Sequence, residues 1–155
     1  MEIQLLVIII IMIACSAFFS ASETALTGAN RIRLKSMAEN GSKGAKMALK
    51  LLDRYDKVIT TILIGNNIVN ITASSLGTIL ATAIVGPDNA ALVSTVVLTL
   101  VILTFGEVMP KSLAKDHSEG MTVATSGIIT FLTFIFTPLS ALFILLKKLA
   151  NKLFG

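Results

Sequence analysis

Residues 104–111, TFGEVMPK, end a membrane-length run on a carboxylate. The uncharged and mostly apolar residues 90–105 lead into Gly106, Glu107, two apolar residues, Pro110 and Lys111. A carboxylate near the centre of a bilayer costs about 2.5–3.5 kcal/mol on insertion scales. That cost is tolerable where Glu107 faces a protein interior and meets a cation or hydrogen-bond donors, which makes it a candidate functional residue. The alternative is that Glu107 pairs with Lys111, one helical turn on, at the lipid–water boundary. On this residue alone both readings stand.

The rest of the chain agrees with a membrane setting. Hydrophobic residues make up 54% and charged residues 14%, whereas a soluble domain carries about 25% charged residues. This indicates an all-α integral membrane protein, with room for one compact membrane domain or one half of a dimeric one. The net charge of +4 would suggest nucleic acid in a soluble protein, but the placement of the charges explains it without nucleic acid. The single cysteine, Cys15, lies in an apolar run, excludes an intramolecular disulfide, and reads as a packing residue.

Residues 3–19 are apolar apart from Gln4 and Ser16, with weaker hydrophobicity to residue 29. They have no basic leader and do not read as a cleavable signal peptide. Their length suits a bilayer core of about 30 Å at 1.5 Å per residue, so residues 1–29 are the first expected span. Residues 30–57 then carry Arg31, Arg33, Lys35, Lys43, Lys46, Lys50, Arg54 and Lys57, with Asn40-Gly41 as a turn signal. This predicts a helix–turn–helix at the membrane surface. Residues 58–85 form the second expected span, 86–89 a tight loop, and 90–112 the third. Residues 118–155 form the last expected segment, in which 121–146 are hydrophobic, interrupted by Pro138, and Lys147, Lys148 and Lys152 follow. No internal repeat stands out.

No Lys or Arg lies before Arg31 or between Lys57 and Lys111. The positive-inside rule then makes residues 31–57 cytoplasmic and puts the N-terminus and the 86–89 loop outside. A full crossing by the fourth segment would put Lys147 and Lys148 outside, against that rule. Pro138 breaks the helix, which favours a juxtamembrane belt with both ends cytoplasmic.

Polar residues recur inside the three spans. Ser16 and Ser20 are four apart, as are Asn66 and Asn70, so each pair shares a helix face. Serines in membrane helices commonly serve close packing. The amides of Asn66, Asn67 and Asn70 each need a partner away from water. Counted from the nearest cytoplasmic cation, Ser20, Asn66 and Glu107 lie about 16, 13 and 6–12 Å deep at 1.5 Å per residue. Polar groups from three helices thus reach one level. Hydroxyl, amide and carboxylate oxygens suit Mg²⁺, Ca²⁺ or Na⁺. Pro110 has no amide hydrogen, so the Gly106 carbonyl loses its regular partner and the helix can loosen there. Gly65 and Pro110 are candidate flexing points.

Three ordered stretches, SAFFSASETAL at 16–26, GNNIVN at 65–70 and FGEVMPKSLA at 105–114, resemble the transmembrane domain of CNNM/CorC proteins. The resemblance covers essentially the whole chain. It implies a homodimer with three spans per subunit, a cytoplasmic helix–turn–helix and a juxtamembrane helix in the plasma membrane. It also implies Mg²⁺ efflux coupled to Na⁺, with Mg²⁺ as cargo held by Ser16, Ser20, Asn66, Asn70, Gly106 and Glu107. Ser22, Glu23 and Asn67 are possible neighbours of that site. Full-length members continue into cytosolic CBS domains, which these 155 residues lack; the chain reads as a truncated form or a short relative. A sensor or scaffold that binds Mg²⁺ without transporting it would need the same residues. No enzyme is expected, because the chain has no paired intramembrane aspartates and no HExxH motif. Its one histidine, His117, sits at a polar boundary.

Overall fold

The computed structural model describes residues 2–154, and every regular element among them is helical. Met1 and Gly155, the outer ends of the first and last expected segments, lie outside the described residues. Helix α1 is Glu2–Gly28. It is apolar all the way round, and a broad face of it, with Ile3, Leu6, Val7, Ile8, Ile10 and Ile11, is exposed, which is the mark of a helix whose solvent is lipid.

Asn30 caps α2, Arg31–Glu39, its side-chain oxygen accepting from the amides of Ile32 at 2.9 Å and Arg33 at 3.3 Å. The expected turn follows at Asn40-Gly41, where Gly41 has φ +94°, a value that favours glycine. Ser42 then caps α3, Lys43–Leu52, by accepting from the Ala45 amide at 3.2 Å. Helix α4 is Tyr55–Val85 and α5 is Pro87–Val101. Only Gly86, at φ +81°, separates them, so the loop expected at 86–89 shrinks to one residue. Pro87 has the backbone angle of a first helical residue and no amide to leave unsatisfied, and Asp88 favours the positive end of the helix. A π-helix, Ile102–Val108, and α6, Met109–Asp116, complete that rod. Helix α7 is Ser118–Ile135 and α8 is Thr137–Phe154. The break between them falls at Phe136, just before Pro138.

By length and composition four helical stretches could cross a membrane: Glu2–Gly28, Tyr55–Val85, Pro87–Asp116 and Ser118–Ile135. That is one more than the three spans expected, the addition being α7.

The contacts divide the chain into two compact units. The first holds α1 up to Ala21 and Gly65–Asp116. Here helices approach through glycine: a Cβ on Gly65 would lie 2.4 Å from Phe19 Cζ, and one on Gly77 2.1 Å from Leu98 Cδ1. Gly65 sits inside uninterrupted helix, and its visible role is to admit the Phe19 ring.

The second unit holds Ser22–Ile64 and the residues from His117 onward. In it α3 packs along α7. The buried face of α7 is mostly hydroxylic, with Ser118, Thr122, Ser126, Ile129 and Thr133. Thr122 and Thr133 donate to the carbonyls of Ser118 and Ile129, four residues back, at 2.7 Å each, and Ser126 donates to that of Val123 at 2.8 Å. These hydroxyls are thus buried without the cost of an unpaired donor.

Gly44 brings α3 against α7, since a Cβ there would lie 2.7 Å from Val123 Cγ1 and 2.9 Å from the Val123 carbonyl oxygen. A backbone oxygen cannot swing aside, so Gly44→Ala should cost about 1–3 kcal/mol of overpacking. The helical preference for alanine, up to about 1 kcal/mol, offsets only part of this. Gly120→Ala in α7, where nothing lies within 4 Å, should instead raise the melting temperature in detergent. Equal melting temperatures for the two variants would remove glycine-mediated packing from the account.

Candidate cation site

All six residues singled out from the sequence fall in the first unit. Helix α1 contributes Ser16 and Ser20, both fully buried. Helix α4 contributes Asn66 and Asn70, both half-buried, and the π-helix contributes buried Gly106 and half-buried Glu107. Four-residue spacing sets each pair on α1 and α4 on one helix face.

The π-helix accounts for the third pair. The Met109 amide bonds the Thr104 carbonyl five residues back, rather than the fourth-back partner of an α-helix. Pro110 cannot donate to Gly106. The loosening expected at Gly106 is present, and it begins earlier, at Ile102.

Three contacts join the three helices. Ser16 Oγ lies 3.0 Å from Asn66 Oδ1 and 3.5 Å from the Gly106 carbonyl oxygen. Asn70 Nδ2 donates to Glu107 Oε1 at 3.4 Å. The first two contacts share one hydroxyl proton, because Asn66 Oδ1 and a backbone carbonyl are acceptors only. Three oxygens therefore converge on one hydrogen.

Two further oxygens are orphaned. Ser20 Oγ and Asn70 Oδ1 are buried with no hydrogen-bond partner. A buried polar atom without a partner costs about 1–3 kcal/mol, and an ion or water is the usual explanation. Gly106 is required by closeness, since a Cβ there would sit 3.0 Å from Ser16 Oγ and 3.3 Å from Ser16 Cβ.

The structure brings Ser16, Asn66 and Gly106 together and pairs Asn70 with Glu107, while Ser20 hydrogen-bonds none of them. Of the possible neighbours, Asn67 is exposed. Ser22 is buried with an unpartnered hydroxyl, and Glu23 is half-buried; both belong to the second unit. Among the described residues no three His, Cys, Asp or Glu side chains cluster, so the donors are hydroxyl, amide and backbone oxygens with one carboxylate.

The four-residue spacing of Asn66 and Asn70 continues through Ser74 and Thr78. Thr78 Oγ1 meets Ser94 Oγ on α5 at 3.0 Å, beside a cavity of about 100 Å³ lined mainly by hydroxyls. Continued spacing was the signal that would have found this pair.

Residues 7–155 match the family described as the cyclin M (CNNM) transmembrane N-terminal domain. A UPF0053 protein of Haemophilus influenzae is 41% identical over 151 residues, covering 97% of this chain and 36% of that protein. The UPF0053 inner membrane protein YfjD of Escherichia coli is 40% identical over 140 residues, covering 90% of this chain and 32% of that protein. A second Haemophilus influenzae protein, named polyamine export protein, is 25% identical over 158 residues, covering 94% and 37%. The chain thus spans about a third of the length of these relatives. With its helices apolar enough to cross a membrane and its match running nearly end to end, the chain belongs to the cyclin M transmembrane domain family.

Proposed function

We propose that this domain carries Mg²⁺ across the plasma membrane, as efflux coupled to Na⁺, through the oxygens of Ser16, Ser20, Asn66, Asn70, Gly106 and Glu107. The observation that carries the reading is the donor shortage on these three helices: two orphaned oxygens, on α1 and α4, and three oxygens that share one proton. A cation bound among these oxygens would relieve that shortage. Octahedral Mg²⁺ binds oxygen at about 2.1 Å, which separates neighbouring ligands by about 3.0 Å. The Ser16–Asn66 separation of 3.0 Å matches that edge. The Ser16–Gly106 separation of 3.5 Å suits the longer bonds of Ca²⁺ and must shorten by roughly half an ångström to hold Mg²⁺.

In this reading the protein is a transporter and not an enzyme, and it works as a homodimer. The basic residues 31–57 and the C-terminus are cytoplasmic and the N-terminus is outside. Three helices span, and α7 with α8 forms the belt. Packing of α7 along α3, which carries Lys43, Lys46 and Lys50, supports the belt, because those cations hold α3 at the surface. Gly106 and Pro110 would supply the flexing between inward and outward states, with Gly65 a weaker candidate.

One relative's name favours a second reading, polyamine export. A polyamine carries several ammonium groups, whereas this site has a single carboxylate, so the divalent ion fits the charge better. A Mg²⁺-binding sensor needs the same site without flux. Proteoliposomes loaded with Mg²⁺ or spermidine separate the three: Mg²⁺ flux supports the proposal, spermidine flux alone the second reading, and binding without flux the sensor.

Ser20 gives a sharper test of the donor shortage. Ser20→Ala removes an orphaned oxygen and should stabilise the ion-free protein by about 1 kcal/mol. The same change should diminish the rise in melting temperature that Mg²⁺ produces by binding the folded state. An undiminished Mg²⁺-dependent rise would reduce Ser20 to a packing residue.

A further inference from the structure

The second unit holds a groove of about 740 Å³ between the α3–α4 junction and the α7–α8 junction. Its rim carries Lys50, Arg54 and Lys57. None of these three forms an ion pair among the described residues. Asp53 also lines the groove, but its carboxylate is engaged by the Arg31 guanidinium. Three cations are thus gathered without counter-charge.

The floor has a different character. Leu51 and Val58 are buried beneath the groove, and Phe134 lines it with 79% of its surface exposed. Thr130 and Thr133 complete the α7 wall. Their hydroxyl protons are already donated to the carbonyls of Ser126 and Ile129, which leaves their oxygens as acceptors.

We propose that this groove binds one anionic phospholipid, with the phosphate held by Lys50, Arg54 and Lys57 and the acyl chains over Phe134 and the apolar floor. Basic pockets between helices at the cytoplasmic face of a membrane protein attract anionic headgroups. A free phosphate would meet the cations and leave the exposed Phe134 ring in water; a diacyl lipid satisfies both. The threonine oxygens can accept from the hydroxyls of a glycerol headgroup, which favours phosphatidylglycerol. The site is separate in residues and ligand from the cation site and does not depend on it.

The test uses the 155-residue chain in detergent, with retained lipid counted by native mass spectrometry. Phosphatidylglycerol should be retained over phosphatidylcholine of the same acyl chains. The triple variant Lys50→Gln, Arg54→Gln, Lys57→Gln should lose affinity on the order of 100-fold, from about fivefold per cation. A charge-matched control, Lys35→Gln, Lys43→Gln, Lys46→Gln, removes three cations that do not line the groove and should bind as the parent does. Equal losses in the two triple variants overturn the proposal in favour of diffuse attraction. Displacement of the lipid by millimolar inorganic phosphate overturns it in favour of a phosphate site. Photoactivatable phosphatidylglycerol on the unaltered chain gives an independent measurement, expected to label peptides containing Met47 or Phe134. Labelling confined to other peptides rejects the groove.

Discussion

Glu107→Gln should lower Mg²⁺ affinity and flux by on the order of 100-fold while the protein stays folded. Glutamine keeps the shape of the side chain and retains an oxygen to accept from Asn70 Nδ2, now at 3.4 Å. What disappears is the only formal negative charge among the six candidate ligands. Removing one member of a partly desolvated charge interaction costs about 2–5 kcal/mol, and about 3 kcal/mol is a factor near 100. Titration calorimetry and proteoliposome flux would measure the loss, and size-exclusion chromatography would confirm the assembly. A variant that binds and moves Mg²⁺ as the parent does returns Glu107 to the boundary carboxylate of the alternative reading.

Gly106→Ala should weaken Mg²⁺ binding at least tenfold with little change in stability. Two effects on stability oppose each other. Alanine gains up to about 1 kcal/mol of helical preference over glycine. Against this, the new Cβ would sit 3.0 Å from Ser16 Oγ and 3.3 Å from Ser16 Cβ, and relieving such crowding costs a similar amount at the low end of the range. The near-cancellation applies to folding only. Ser16 Oγ must move away from the Gly106 carbonyl and Asn66 Oδ1, and ligand geometry for Mg²⁺ tolerates little displacement. The signature is therefore an almost unchanged melting temperature without Mg²⁺ and a diminished response to it. A response equal to that of the parent would show that Ser16 and Gly106 do not share an ion.

Much of this arrangement was legible in one dimension because its causes are local. Membrane-length apolar runs, the Asn40-Gly41 turn and the missing amide at Pro110 act on their own backbone, and the helices and the π-helical stretch follow. Pairing Ser16 with Ser20 and Asn66 with Asn70 needed only helical periodicity. Gly-Pro-Asp-Asn at 86–89 carries the signature of a loop, whereas the structure uses three of those residues to start α5.

The fourth hydrophobic segment shows where local information ends. Composition qualifies α7 as a span, charge placement argues for a belt, and neither reveals that its hydroxyl face is buried in a unit with α3. Gly65 likewise reads as a hinge until Phe19 is seen filling the space of its absent side chain.

The chain order of residues determined the helices, their polar faces and the oxygen chemistry available for a cation, since each depends on neighbours within a few turns. Tertiary structure alone decided that Ser16 reaches both Asn66 and the Gly106 carbonyl, and that Ser20 Oγ and Asn70 Oδ1 are left without partners. Those facts join residues 50 and 90 positions apart, and they depend on how closely three helices approach, which no periodicity within one helix encodes.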